Sequence, residues 1–238
     1  MDKNHFIIRL LLVVLITIFA ILTKKITIRG AIVGGVITLI LWTAFGLIGV
    51  ADIATFFLFG TAASMWKNHD KKRNKLEEKN EGKRDFTNVL GNAGVAGLIA
   101  TLALIIPELS DLLLAMATAS FASALSDTFS SELGNVYGTS FINILSFRKG
   151  VRGEDGVISW EGSMYGMLGS LIIALLYFIF QQDMSYTVII FFSGIFGNLT
   201  DSLLGAGLQR KGWLNNHSVN FLSVLLAALF ALGCTIYW

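Results

Sequence analysis

The sequence predicts an all-α, polytopic membrane protein of about eight transmembrane helices, and three observations carry that reading. Only 14% of the 238 residues are charged, while 54% are hydrophobic. Soluble domains run near a quarter charged, so this chain has too little polar surface to coat a globule. Several apolar runs reach the ~20 residues that a helix needs to cross a ~30 Å hydrocarbon core. The basic residues gather in alternate loops, as membrane topology demands. The same composition excludes disorder, which needs low hydrophobicity and high charge. The one cysteine, Cys234, excludes an intrachain disulfide framework and a multi-cysteine metal site. A net charge of +2 gives a nucleic-acid partner no support.

The first apolar run, 6–23, ends in Leu22-Thr23-Lys24-Lys25 with no small-residue cleavage site, so it reads as a retained helix. No transit-peptide stretch stands ahead of it, which leads to the expectation of a multi-pass protein in a prokaryotic plasma membrane. The second and third runs, 31–49 and 51–66, are expected to be parted by a tight turn around Gly49 and Asp52. A basic cytoplasmic loop, 67–87, precedes the fourth run, 88–107. The fifth, 111–133, leads into a glycine-rich basic loop, 135–162. The last three follow at 163–181, 186–205 and 218–238, and the whole of 1–238 reads as one integral-membrane domain. Gly91, Gly94 and Gly97, then Gly162, Gly166 and Gly169, recur at spacings of three or four, which lets membrane helices pack closely.

Lys and Arg set the orientation. Eight of them lie within 67–84, which must then be cytoplasmic. Alternation outward from that loop brings Lys24, Lys25, Arg29, Arg148, Lys149, Arg152, Arg210 and Lys211 to the same side. That is 16 of the 18 basic residues, with only Lys3 and Arg9 elsewhere. Both termini are then expected outside.

Carboxylates inside a bilayer are rare and functional by default. Asp127 and Asp201 sit in matching strings, Leu125-Ser126-Asp127-Thr128 and Leu199-Thr200-Asp201-Ser202. Each comes late in its run, so both are expected at the same depth, ~22–24 Å from the external end and close to the cytoplasmic interface. Ser123 and Ser131 share the helical face of Asp127, and Asn198 and Gly205 that of Asp201. Paired carboxylates with hydroxyl and amide neighbours suit a hard cation such as Mg²⁺, which keeps waters and shares its shell with substrate phosphates. Glu132, five residues after Asp127, is rotated about 140° on a regular helix and joins the site only if that helix breaks near Gly134, or if it meets another partner. The alternative is that each aspartate bonds to neighbouring hydroxyls or caps a half-helix and binds nothing. Asp52, Glu108, Asp111 and Asp183 read as solvated loop charges of the outer face.

In the loop FRKGVRGEDGVISWEGS, Arg148, Lys149 and Arg152 interleave with Gly150, Gly153 and Gly156. Glycines let a backbone turn its amides toward an anion, and basic side chains neutralise it. Ser159, Glu161, Gly162 and Ser163 then open a helix, whose N-terminus also favours anions. Positive-inside bias plus an ordinary cap explains the charges but not the glycines. Lys83, Arg84 and Asp85 with Asn88 and Asn92, and Gln209, Arg210 and Lys211 with Asn215, Asn216 and Asn220, are further cytoplasmic contributors. The three histidines are scattered, and no P-loop string is present.

The strings Asp127-Thr128-Phe129-Ser130-Ser131-Glu132-Leu133-Gly134, Gly153-Glu154-Asp155-Gly156 and Gly197-Asn198-Leu199-Thr200-Asp201-Ser202-Leu203-Leu204-Gly205-Ala206, with Gln209 and Asn220, resemble a widespread integral-membrane family long labelled a domain of unknown function. That family includes the plant phytyl-phosphate kinase of tocopherol synthesis, and the resemblance runs from about residue 26 to the end. More loosely, Trp160-Glu161-Gly162-Ser163 is similar to the CTP-dependent dolichol and phytol kinases. The Gly197–Ser202 string with Gln209-Arg210-Lys211 is similar to CDP-diacylglycerol synthases. The resemblance implies a kinase acting on an isoprenoid monophosphate of phytyl or geranylgeranyl type. Asp127 and Asp201, with Glu132, would hold Mg²⁺. Arg148, Lys149, Arg152, Gly153, Gly156, Ser159, Glu161 and Ser163, with Lys83, Arg84, Asn198 and Gln209, would serve nucleotide and substrate phosphates, and Glu161 would orient the basic side chains of the loop. Ile158 stands where dolichol-type kinases carry Lys, and Asn198 where the synthases carry an acid, which leaves the donor (CTP or ATP) and the metal count open. The implied partners are a lipid phosphate, a nucleoside triphosphate and membrane lipid, with homo-oligomerisation left open. Two other readings stand beside this one: a CTP-dependent kinase or cytidylyltransferase on another lipid, and an ion-coupled transporter. The shared depth of the two aspartates counts against the transporter, whose sites lie near the midplane.

Overall fold

The computed structural model describes residues 3–67 and 83–237; residues 68–82, most of the expected basic loop 67–87, lie outside the described residues. Eight helices run through the described residues: α1 Lys3–Leu22, α2 Ile28–Phe45, α3 Leu47–Met65, α4 Phe86–Ile105, α5 Ser110–Tyr137, α6 Trp160–Gln181, α7 Met184–Leu204 and α8 Asn216–Tyr237. Seven are long and apolar enough to cross a membrane, and Phe6–Leu22 of α1 is a shorter apolar helix. A two-stranded antiparallel hairpin, β1 Phe141–Asn143 and β2 Val157–Ser159, joins α5 to α6, with Phe141 opposite Ser159 and Asn143 opposite Val157.

Local chemistry starts most of these helices. Thr27 Oγ1 accepts from Gly30 N at 3.1 Å, Asp85 Oδ1 from Asn88 N at 2.9 Å, Ser159 Oγ from Gly162 N at 3.0 Å, Asp183 Oδ1 from Tyr186 N at 3.0 Å and Asn215 Oδ1 from Ser218 N at 2.9 Å. Each satisfies an N–H that has no partner inside its own helix. The expected turn between the second and third runs moves: the chain reverses at Gly46 (φ 72°, ψ −147°), a conformation open to glycine and strained for other residues. Apolar residues flank Gly46 on both sides, so hydropathy does not mark it. The shift carries Asp52 out of the expected loop and into α3.

The core is α5. Leu113 through Ser126 are buried without a break, because α3, α4, α6, α7 and α8 all pack against this helix. Its Ala, Ser and Thr side chains let backbones close in from every side. Gly162, Gly166 and Gly169 line the α6 face toward α5, where a Cβ at Gly169 would stand 2.7 Å from Leu125 O and one at Gly162 2.9 Å from Ser130 O. Outside the bundle, Leu98, Ile105 and Ile179 are among the large apolar side chains left exposed, a surface suited to lipid.

Gly169→Val should therefore lower thermal stability in detergent by about 1–3 kcal/mol, since backbone cannot yield cheaply to the new atoms. Gly233→Ala, with nothing within 4 Å of the added Cβ, should leave the melting temperature unchanged.

Candidate functional site

Asp127 follows Ser110, the first residue of α5, by 17 positions, and Asp201 follows Met184, the first residue of α7, by the same 17. Alternating helices start α5 and α7 at one end of the bundle, so about 25 Å of rise brings both carboxyls near the opposite, basic end. There they meet, with the Asp201 side chain in hydrogen-bond contact with that of Asp127. Ser223 of α8 lies 3.1 Å from Asp201 Oδ2 and 2.9 Å from Asn220 O, so its single proton serves either. Ser123 and Ser126, both wholly buried, flank Asp127 on α5, and neither hydroxyl has a hydrogen-bond partner. Ser123 Oγ crowds Gly197 of α7 so closely that a Cβ there would overlap it. A Cβ at Gly166 of α6 would stand 2.5 Å from Asn198 Nδ2 and 3.2 Å from Ser126 Oγ.

Two carboxyls in contact cannot both stay ionised with nothing between them; they share a proton or a cation. Buried hydroxyls without partners are costly, and a bound group with its waters would satisfy them. Magnesium takes one or two carboxylates and retains several waters, so the donor set around Asp127 and Asp201 fits such an ion.

Glu132 does not join them. α5 continues unbroken to Tyr137, so Glu132 stays turned about 140° from Asp127. Among the described residues no three Asp, Glu, His or Cys side chains converge. The expected three-carboxylate centre is a two-carboxylate centre.

The expected anion loop is a compact hairpin. α5 reaches four residues beyond the expected end at 133, and Asn143 Oδ1 accepts from Leu145 N and Ser146 N to build a tight turn. Arg148 and Lys149 are exposed where the chain runs back beside β1, Arg148 O accepting from Asn143 N and Lys149 bridging Ile142, and Arg152 lays its guanidinium 5.5 Å from the Phe141 ring centroid. Gly153 and Gly156 take positive φ of 82° and 68°. The N–H groups of Gly150, Glu154 and Val157 are committed to backbone carbonyls of Phe141, Val151 and Glu154. The chain entering β2 docks on the turn that follows α7: Gly156 packs so tightly against Ala206 that a Cβ would overlap it. Arg210 donates to Asp155 O at 2.6 Å and pairs with Glu154 at 3.0 Å. The segment so gripped, Gly205–Gln209, is a single π-turn four residues after Asp201, and such turns cluster at functional sites. Asp155 thereby comes within Coulombic range of Asp201.

Several expected phosphate ligands have other partners. Ser159 is buried as the cap of α6, and Ser163 donates to Ser159 O at 3.0 Å. Glu161 orients no basic side chain of the loop, because its Oε1 accepts from Thr139 N at 3.2 Å and from Thr139 Oγ1 at 2.6 Å. The Arg84 guanidinium lies against Gly60 of α3 and over the Phe56 ring at 4.6 Å, where a ring face and a missing Cβ make room for it. Lys83 is exposed, and Asn198 and Gln209 are half-buried. Burial by itself would raise the Asp85 carboxyl, but hydrogen bonds from Thr87 and Asn88 N, with the His217 charge, hold it below its ordinary value. Sequence reasoning missed Ser223 and gave Ser126 and Gly197, though both stand in the quoted strings, no role in the site. Ser126 was readable beside Asp127, whereas nothing local to Ser223 or Gly197 shows which helix they face.

The fold and the site together define a polytopic membrane protein with a two-carboxylate centre where α5, α7 and α8 meet. The chain belongs to the family described as integral membrane protein DUF92, whose model matches residues 11–228. It is 31% identical over 198 residues to Protein VTE6, chloroplastic, of Arabidopsis thaliana, covering 80% of this chain and 60% of that protein. The chain thus accounts for under two thirds of that relative's length. It is 34% identical over 209 residues to an uncharacterized membrane protein of Synechocystis sp. (83% of this chain, 78% of the relative). It is also 32% identical over 246 residues to one of Methanocaldococcus jannaschii (99% and 98%). No solved structure matches the chain.

Arg210→Ala should speed amide hydrogen exchange in 153–157 while costing at most about 1 kcal/mol of stability, because the ion pair is half exposed. Asp85, held low, stabilises the fold above the ordinary aspartate pKa of about 3.9, and that contribution fades as pH falls through its lowered value. Asp85→Ala should therefore lower the melting temperature at neutral pH and progressively less below about pH 4.

Proposed function

We propose that this protein is an isoprenoid monophosphate kinase of the membrane, transferring the terminal phosphoryl group of a nucleoside triphosphate, CTP in preference to ATP, to a prenyl phosphate of phytyl or geranylgeranyl type. The contact between Asp127 and Asp201 at the basic end, beside a docked basic hairpin, is the observation that carries this reading. The resemblance to the family of the plant phytyl-phosphate kinase supplies the substrate class. By the positive-inside rule the basic end faces the cytoplasm of a prokaryotic cell, where nucleotides are available.

Asp127 and Asp201, with Ser123, Ser126 and Asn198 around them, would hold Mg²⁺ through its waters. When bound, the ion neutralises and orients phosphoryl oxygens. Arg148, Lys149 and Arg152 of the hairpin, together with the exposed Lys83, attract the donor's phosphates. The positive φ of Gly153 and Gly156 keeps the loop low against α7 and Gln209. The prenyl tail lies along the apolar outside of the helices, with its phosphate at the bundle end. An oxygen of that phosphate attacks the terminal phosphorus; a new P–O bond forms as the P–O bond to the nucleoside diphosphate breaks, and the electron pair leaves with the diphosphate. The attacking oxygen is already ionised, so the chain's task is alignment and charge neutralisation rather than proton removal.

Detergent-purified protein with Mg²⁺, geranylgeranyl or phytyl phosphate, and CTP or ATP in parallel arms should yield a prenyl diphosphate by mass spectrometry. Asp127→Asn and Asp201→Asn should each cut turnover on the order of 10²-fold or more at unchanged melting temperature. A product heavier by a cytidylyl group would make the protein a nucleotidyltransferase instead. No product with any pair, from folded protein, would overturn the reading.

A further inference from the structure

Asp52 lies far from the site above and is the most deeply buried carboxyl of the described residues, at 1% exposure. Expected as a solvated loop charge, it sits five residues into α3, on the buried face it shares with Phe56, Gly60 and Ala63. Thr118 of α5 donates to its Oδ2 at 2.7 Å, while Oδ1 is buried with no hydrogen-bond partner. Thr118 is half a helical turn around α5 from Asp127, nine residues away, so the two sites open on different faces.

Among the described residues the nearest basic group on this face is Arg84, whose guanidinium lies over the Phe56 ring one turn further along α3 and against Gly60 beyond it. The helices packed on α3 are α2, α5 and α6. Of these, α5 and α6 contain no Lys or Arg, and the one basic residue of α2, Arg29, stands at its other end. Arg9 of α1 is turned onto Trp42, donating to its carbonyl at 3.5 Å. From α6, the phenol of Tyr177 lies within Coulombic range of Asp52, Asp111 and Asp183, and its ring stands edge-on to Tyr186 of α7 with 6.2 Å between centroids. Asp111 and Asp183 open α5 and α7 at the end opposite the basic loops.

A buried carboxylate without a full set of donors is far costlier than the neutral acid. A hard cation gathers about six oxygens, and among the described residues no second or third Asp, Glu, His or Cys side chain converges on Asp52 to supply them. A proton needs one oxygen, and Oδ1 is free to take it.

We propose that Asp52 is a proton-binding site, loaded from the end of the bundle opposite the basic loops, with the proton on Oδ1 and Oδ2 accepting from Thr118. The site stands independently of the kinase reading. Tyr177 is within Coulombic range both of Asp52 and of Asp111 and Asp183, which is why the proton is assigned to that end.

Infrared difference spectroscopy of the full protein in lipid nanodiscs at neutral pH tests this. The wild type should show the C=O band of a protonated, dry carboxyl that Asp52→Asn removes and Asp127→Asn leaves in place. Thr118→Val should keep the band and move it to higher frequency, because the carbonyl loses its hydrogen bond; this variant carries the test should Asp52→Asn fail to fold. Identical wild-type and Asp52→Asn spectra, or a band indifferent to Thr118→Val, would overturn the proposal. So would a band that appears only when sodium and potassium are withdrawn, which would make Asp52 a monovalent-cation site.

Discussion

The close approach of α6 and α7 to α5 is the constraint on which the rest of the molecule depends. Lipid is as apolar as a leucine side chain, so the hydrophobic effect does not press membrane helices together, and contact rests on packing between small residues. Gly162, Gly166 and Gly169 bring α6 onto the backbone of Leu125–Gly134, and Gly194 and Gly197 bring α7 onto Ala122 and Ser123. The second approach sets the separation at which Asp201 reaches Asp127. Larger residues at those glycines would part the helices and the carboxyls together.

Hydroxyls inside the bundle separate structure from site. Thr38, Thr128, Thr187 and Ser193 each donate to a carbonyl four residues back, at 2.6–2.8 Å. Such a bond satisfies the group locally and asks nothing of a neighbour. Ser123 and Ser126 are wholly buried and lack even that bond. They stand beside the place where the carboxyls of Asp127 and Asp201 meet. Among the described residues the buried hydroxyl of Thr61 on α3 is unpartnered too, so it is their place beside Asp127 that makes Ser123 and Ser126 informative.

The hairpin and the π-turn couple segments far apart in sequence. The ion pair of Arg210 with Glu154 is half exposed and weak by itself. What holds the return strand is the backbone contact of Gly156 with Ala206, which no larger residue could make. The end of α7 that carries Asp201 thus also fixes the loop that carries Arg148, Lys149 and Arg152, and a shift in either would be felt at both.

The membrane class, the eight helices of the described residues and the equal depth of Asp127 and Asp201 were all legible in the amino-acid order. Each follows from composition, from the length of apolar runs or from counting along a regular helix. The sequence also held the rotation that sets Glu132 apart, conditional on a helix that does not break. Only the tertiary structure decided that α5 runs through to Tyr137, that the second helix turns at Gly46, and that Asp52 is buried. The neighbours Ser223 and Gly197, the inward placement of Arg84 and the pairing of Glu161 with Thr139 were likewise decided there. The reason is physical. A helix in lipid is apolar on every side, so the periodicity that tells a soluble helix's inside from its outside is absent. Which face meets which neighbour is then settled by small-residue contacts between segments far apart in the chain.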